Sequence, residues 1–404
     1  MRYLGMLLVH PSQGKTPMRV LLAATRNALR AVACLFPLIA GSGFAEETEN
    51  SLSKAMEARY APYADWESKI DLSDLEVWEK PFWRGAEVIR SASTKALPLA
   101  GLKIALDPGH VGGEWAFYEG REFRISETDY FVREGELVLE VAQIAATKLR
   151  ELGAEVILLR ETNEPVNPKS PTDYLEEVIT SMDYPVDTSL ISMADYGIKI
   201  RDQAVKEAII IGELVERARL INEEIQPDAV LSLHINAAPW PVSPDSGSDE
   251  RTLVDSNHLH VLIFGCMSEG EMQSGRQLEQ FKAKLRNGSG PEELGLAKAL
   301  AASLAGKTAL PASSYSGQNA VMPDPEEPFV WARNLLLLRM VECPVVLLEP
   351  YVANGKEAYH RIQTALDRRK KEEVVDESDI LIEYADGIVE GVLNHYGFRP
   401  SLPI

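Results

Sequence analysis

Apolar positions along the chain switch repeatedly between a strand-like and a helix-like period. LKIAL (102–106) is a short apolar run of the length of a buried strand. Leu137, Val141, Ile144, Ala145, Leu149 and Leu152 then recur at helical spacing, and Gly153 is a helix stop. EVILL (155–159) is the next strand, 206–224 suits a helix, and AVLSL (229–233) is a strand again. HLHVLIF (258–264) and VVLLE (345–349) read as further strands, and 292–306 and about 376–396 as helices. Strands alternating with helices predict an α/β fold with a largely parallel sheet covered on both faces. Two stretches break the alternation: 161–205, and 238–256 with 267–290. Both are rich in Pro, Ser, Asp, Gly or Glu and are expected to be surface insertions.

The first 45 residues have a different texture. They hold five basic residues (Arg2, Lys15, Arg19, Arg26, Arg30) and no acidic one, then the apolar run AVACLFPLIA (31–40) and an abrupt acidic EETEN. A basic stretch, a short apolar core and small residues Gly43 and Ala45 before a cut predict a secretory signal over 1–45, with an amphipathic helix buried in the fold as the alternative. Cys34 opens the apolar core rather than following it, which argues against a lipidated cysteine. Residues 46–99 form an acidic extension that carries Trp66, Trp78 and Trp83, expected to lay aromatics on the main body, 100–404.

Charge narrows the function classes. The chain has 404 residues and a formal net charge of −20, and removing the five basic residues of 1–45 takes it to −25. Such an acidic body has no electrostatic footprint for nucleic acid. Beyond the short run near the start, no apolar stretch reaches the roughly 20 residues that span a bilayer. No phosphate-binding glycine loop follows a strand, and no GxSxG nucleophile motif occurs. Cys266 and Cys343 are too few for a disulfide scaffold, and the sequence leaves open whether they pair.

Candidate chemistry gathers at the ends of the predicted elements. Asp107-Pro108-Gly109-His110 follows the first strand, Glu134 opens the first helix, His234 follows AVLSL, and Glu349 closes VVLLE. Ligands in open α/β sheets bind outside the carboxyl ends of the strands. Two His and one Glu there, with a second Glu to spare, form the ligand set of a catalytic zinc: three ligands, an open position and a proton acceptor. Asp107 is a candidate partner for a ligating imidazole. Each residue taken singly has a plainer reading: a packed histidine, or an acidic residue in a helix's first turn. Glu349 is the exception, because a carboxylate at the edge of an apolar run needs a partner. His258 and His260 share a strand face. They read as a strand edge, with a second metal site as the alternative.

The motifs DPGHVGG (107–113), EGELVLEVA (134–142), SLHINA (232–237) and CPVVLLEPYVANGKE (343–357) together resemble the zinc-dependent N-acetylmuramoyl-L-alanine amidases of cell-wall hydrolysis. RARLIN (217–222) and LLLLRMVECP (335–344) add to the likeness, which covers roughly 101–396. The resemblance implies an α/β fold with a mixed, mostly parallel central sheet flanked by helices. It implies one Zn2+ per chain on His110, Glu134 and His234, with Glu349 as catalytic carboxylate. It places Asp107, Arg217, Asn236 and Arg339 in supporting or substrate-binding roles. The substrate it implies is peptidoglycan, cut between N-acetylmuramic acid and L-alanine, and the signal-like start with an acidic body fits an exported enzyme, periplasmic or otherwise extracytoplasmic.

Two departures bear on these expectations. The interval from His110 to Glu134 is about ten residues longer than the family pattern and contains Glu127, a rival second ligand. The stretch after SLHINA is also long. Some family members carry there a helix that plugs the site, with a Glu in the open metal position. Glu269 and Glu271 lie comparably, so an autoinhibitory insertion relieved by an activator protein is one expectation and a solvated loop the other. Two further readings remain: a zinc carboxypeptidase using Arg217 or Arg339 for a terminal carboxylate, and a non-catalytic wall-binding regulator with the same fold.

Overall fold

The computed structural model describes residues 50–75, 80–241 and 251–399. The expected signal over 1–45 and Trp78 lie outside them. Six strands form one sheet: β1 (Lys103–Pro108), β4 (Glu155–Leu158), β5 (Ala229–Leu233), β6 (Leu259–Phe264), β7 (Val330–Arg333) and β8 (Val345–Pro350). Their order is β4–β1–β5–β8–β6–β7. β4, β1, β5 and β8 run parallel, whereas β6 is antiparallel to β8 and parallel to β7. The sheet is therefore mixed and mostly parallel, flanked by helices. A two-stranded hairpin, β2 (Glu122–Phe123) with β3 (Val132–Arg133), stands apart.

Side-chain alternation along the strands builds two cores. Ile104, Leu106, Leu231, Val346, Leu348, Val261 and Ile263 face helices Glu134–Glu151, Gly290–Thr308 and Ile380–Tyr396. Ala105, Val230, Val345, Leu347, Leu262 and Phe264 face the opposite way, toward Phe281, Leu337 and Ile221. Each fully buried aliphatic side chain stabilises the fold by roughly 1.5–3 kcal/mol. Strands buried on both faces read as continuous apolar runs, which is why they stand out in the sequence. The first helix ends as its pattern predicts, with Leu152 as cap and Gly153 left-handed at φ 99°.

Three peripheral stretches take defined structure. The 267–290 stretch is no solvated insertion: helix Gly275–Arg286 buries Phe281, Lys284 and Leu285 in the second core. The 161–205 stretch holds helix Leu175–Ser181 and nearly all of Leu190–Lys206, and the latter continues through a π-helical turn, Glu207–Ile211, into Gly212–Arg219. The extension also packs closely, with Met56, Tyr60, Trp66 and Ile70 buried in the second core and Trp83 against it. Arg59 is 5% exposed, donates to Phe264 O (2.8 Å) and Gly290 O (2.7 Å), and pairs with fully buried Glu293. Lys284 pairs with the same carboxylate at 2.5 Å. An unpaired Glu293 would cost several kcal/mol, so Arg59 ties the 50–75 segment, and Lys284 helix Gly275–Arg286, to the helix that carries it.

Cys266 and Cys343 are free, buried thiols. Burial pushes Cys266 up to about 11 and Cys343 higher still, so neither is a thiolate at neutral pH.

Candidate metal centre and its cavity

β1, β5 and β8 end together, and their exits deliver the site. The chain leaves β1 through Asp107, and His110 takes a left-handed conformation (φ 57°) that turns its ring back over the strand ends. Gly109 must be glycine: a Cβ there would lie 2.3 Å from the His234 ring. Glu134 is the first residue of its helix and is 8% exposed. Its Oε1 lies 3.1 Å from His234 Nδ1 and its Oε2 3.4 Å from His110 Nε2. The imidazole centroids are 4.9 Å apart with the rings nearly perpendicular. One ligand atom from each of His110, Glu134 and His234 falls within 4.8 Å of the others, the one such group among the described residues. Two nitrogens and a carboxylate oxygen converging this way fit a divalent transition ion with one position left open.

His110 and Glu134 stabilise one another's charged forms. Burial disfavours an imidazolium at His110, but Glu134 and Glu119 outweigh it and raise the group to about 9. Glu134 is held well below the usual carboxylate range, burial being outweighed by His110 and His234.

A buried polar frame fixes the ligands. Arg217, 1% exposed, donates to Asp107 Oδ1 (2.7 Å), Pro108 O (2.7 Å), His110 O (2.8 Å) and Glu213 Oε1. Asp107 accepts from Ser232 Oγ at 2.6 Å, and that hydroxyl lies 3.4 Å from His234 Nε2. Asp107 thus reaches His234 through Ser232. Glu119 sits beside His110 Nδ1 at 3.3 Å and accepts from Val111 N at 2.8 Å. The long interval after His110 explains itself: helix Trp115–Glu119 presents Glu119, and the β2–β3 hairpin returns the chain to Glu134. Arg160 donates to Gly135 O at 2.7 Å, clamping the first turn of that helix. Neither Glu119 nor Arg160 was singled out from sequence, where both look like ordinary surface charges. Glu127, the rival ligand, is exposed on the hairpin loop.

The three groups open onto a cavity of about 350 Å³ that Glu349 also lines. Ile209 and Ile210 of the π-helical turn, Leu214, and Leu335 to Leu337 form its apolar wall. Arg121 is 44% exposed at the mouth, its Nη1 3.7 Å from Glu134 Oε2. Glu349, 21% exposed, pairs with His260 Nε2. Burial favours the neutral acid, but the His260 hydrogen bond outweighs it and keeps Glu349 below the usual carboxylate range. His260 is the partner the sequence required for Glu349 and did not identify. β6 lies inside the sheet between β8 and β7, so His258 and His260 are not at an edge. Asn236 lines the cavity and donates to His258 Nε2 at 3.0 Å.

Three of the expected residues lie outside the cavity. Arg339 turns away from the cavity and donates to Gln280 Oε1 (2.9 Å) and Asn334 Oδ1, joining helix Leu336–Met340 to Gly275–Arg286. Glu269 and Glu271 do not enter the metal position: Glu269 accepts from Asp65 N at 3.0 Å, and Glu271 closes a capping box with Ser268. Both carboxylates serve the ends of local structure, which is where acidic residues gain most near a helix start.

The chain matches the family model described as N-acetylmuramoyl-L-alanine amidase over residues 104–392. Among solved structures it is similar to the N-acetylmuramyl-L-alanine amidase Ami1 of Mycobacterium smegmatis, at 16% identity over 73% of this chain and 96% of that one, TM-score 0.38. For the N-acetylmuramoyl-L-alanine amidase AmiC2 of Nostoc punctiforme the values are 16%, 73%, 97% and 0.36. For the CwlD amidase of Clostridioides difficile, solved with the GerS lipoprotein, they are 13%, 72%, 96% and 0.35. No curated protein sequence matches the chain.

Proposed function

Because the chain belongs to the N-acetylmuramoyl-L-alanine amidase family, we propose that it is a zinc enzyme which hydrolyses the amide between N-acetylmuramic acid and L-alanine in peptidoglycan. The observation that carries this reading is the convergence of His110, Glu134 and His234 beside a separate carboxylate, Glu349, in one cavity. His110 Nε2, His234 Nδ1 and a Glu134 oxygen would hold the ion. Bound zinc would supply a lowered pKa for the attacking water and polarise the scissile carbonyl.

The chain's own groups do the rest. Glu349, kept ionised by His260, accepts the proton of the attacking water and returns it to the leaving nitrogen of L-alanine. Glu119 beside His110 and Ser232 beside His234 orient the two imidazoles. The aliphatic wall excludes water from the far side and strengthens the electrostatics inside. A carboxypeptidase reading has less support: Arg217 is buried and fully engaged, and Arg339 is held elsewhere. Export to the periplasm is part of the proposal, resting on the basic, apolar and then acidic start of the chain. No described helix is long and apolar enough to cross a membrane.

The test is made on residues 46–404, wild type and Glu349→Ala, measuring zinc per chain and stem peptide released from purified sacculi. The expected result is near-stoichiometric zinc in both and release by wild type alone. A wild type that holds no zinc and releases nothing overturns the proposal.

A further inference from the structure

The antiparallel pairing of β6 with β8 sets His260 directly opposite Glu349. Opposite residues in such a pair hold their side chains on one face, with Cβ atoms roughly 4.5–5.5 Å apart. His260 is 2% exposed, and its Nε2 faces both Glu349 Oε2 and Tyr315 Oη, the latter at 3.1 Å. Its Nδ1 is buried with no hydrogen-bond partner among the described residues. An N–H at Nδ1 would find no acceptor there, whereas an N–H at Nε2 meets the carboxylate. That proton is aimed at Glu349.

The ring is braced on two sides. His258 stacks on it at 5.8 Å and 27°, and His258 is itself tied to Asn236. Tyr315 packs against it at 5.4 Å, backed by Trp331 at 5.0 Å and with Arg333 over its ring at 5.2 Å. Nothing in the metal-binding role calls for this construction, because His260 contacts none of the three converging groups.

We propose that His260, braced by Tyr315 and His258, is a positioning residue for Glu349, holding Oε2 so that the carboxylate keeps one orientation toward the cavity. The proposal rests on Glu349 being the proton acceptor. The titratable and charged groups around Glu349 are His260 on β6, His258 just before it, Tyr315 on the segment before β7, Arg333 on β7, His234 after β5, Glu134 at its helix start and Tyr384 on the last helix. Of these, His260 alone is hydrogen-bonded to its carboxylate among the described residues. A loose carboxylate loses rate without losing substrate affinity, since misplacing a catalytic group by 1 Å costs about 10²-fold.

The experiment uses the zinc-loaded chain and a soluble muropeptide, comparing wild type, His260→Leu, His260→Gln and Glu349→Gln. Leu removes the donor, and Gln returns an N–H near the position of Nε2. His260→Leu is expected to lower kcat by about 10²-fold with KM and zinc content unchanged, and to move the acidic limb of the kcat–pH profile upward. His260→Gln is expected to restore most of kcat and the position of the limb. Wild-type kcat and limb in His260→Leu would overturn the proposal, as would equal losses in Leu and Gln with the limb unmoved. Wild-type turnover in Glu349→Gln would instead sink the base assignment. Imidazole 15N NMR reads the contact without turnover: an Nε2–H tautomer for His260 whose signal moves in Glu349→Gln supports the proposal, and a proton on Nδ1 overturns it.

Discussion

Two imidazole–carboxylate groupings face one cavity, and they differ in what surrounds the carboxylate. Glu134 stands between two histidines, each with one ring nitrogen directed at its carboxylate. Glu349 meets one, His260, whose other nitrogen points into the protein. The first is a set of lone pairs converging on one point, which a cation satisfies better than the groups satisfy one another. The second is a single donor fixing a single acceptor. Residue type is the same in both, although Glu134 opens a helix and Glu349 closes a strand. In the proposed reading, the number of nitrogens directed at the carboxylate is what separates a ligand from a base.

The largest effects test that division directly. Glu134→Ala should abolish both zinc binding and peptide release, whereas Glu349→Gln should keep zinc and lower turnover by about 10²–10⁴-fold. Metal analysis of the two purified variants beside their activities decides it, and the reverse pattern would exchange the roles. Glu119→Gln is the next step down. It removes the charge beside His110 Nδ1 while leaving all three converging groups, so zinc affinity should fall about 10–100-fold. Competition with a chelator measures this, and an unchanged affinity would make Glu119 a purely local contact to Val111 N.

Why one grouping was legible in the sequence and the other only by half follows from strand direction. His110, His234 and Glu349 each end a parallel strand, and apolar runs mark those ends plainly. His260 lies within β6, and its pairing with Glu349 depends on β6 running antiparallel to β8. No local pattern states the direction of a strand, so HLHVLIF reads equally well either way. The helices of 275–286 and 190–206 were hidden for another reason. Their polar faces dominate the composition, and the few residues that dock them, such as Phe281, are too sparse to mark a period. The hairpin and Glu119 were obscured by the extra length before Glu134, which sequence registers only as a gap.

A smaller effect distinguishes the groupings by pH. With no metal bound, His110 is raised from near 6.5 to about 9 by Glu134 and Glu119 against the opposing effect of burial. A raised imidazole contributes stability that is fully present below the unfolded value of about 6.5 and lost as pH climbs through 9. The melting temperature of stripped protein should therefore fall across that window. The metal-loaded protein, whose imidazoles are already deprotonated, should show no such fall. Glu349 belongs to the other grouping, and because its carboxyl is lowered, its contribution is lost only on acidification. Removing His260 should leave the alkaline fall untouched, and a change there would mean that the two groupings are coupled.

The smallest effect concerns the carboxylates that belong to neither grouping. Glu271 closes a capping box on a short helix, and Glu269 meets Asp65 N at an exposed position. Replacing both by Ala should cost about 1 kcal/mol through the lost cap and leave zinc content, kcat and KM unchanged. The cavity wall is set instead by the π-helical turn, where Ile209 and Ile210 come from the segment between β4 and β5. Accelerated peptide release in the double variant would show that the 269–273 helix leaves its capped position and reaches the metal in solution. Unchanged release would assign the occlusion of the far side to the π-helical turn, whose isoleucines would be the next to replace.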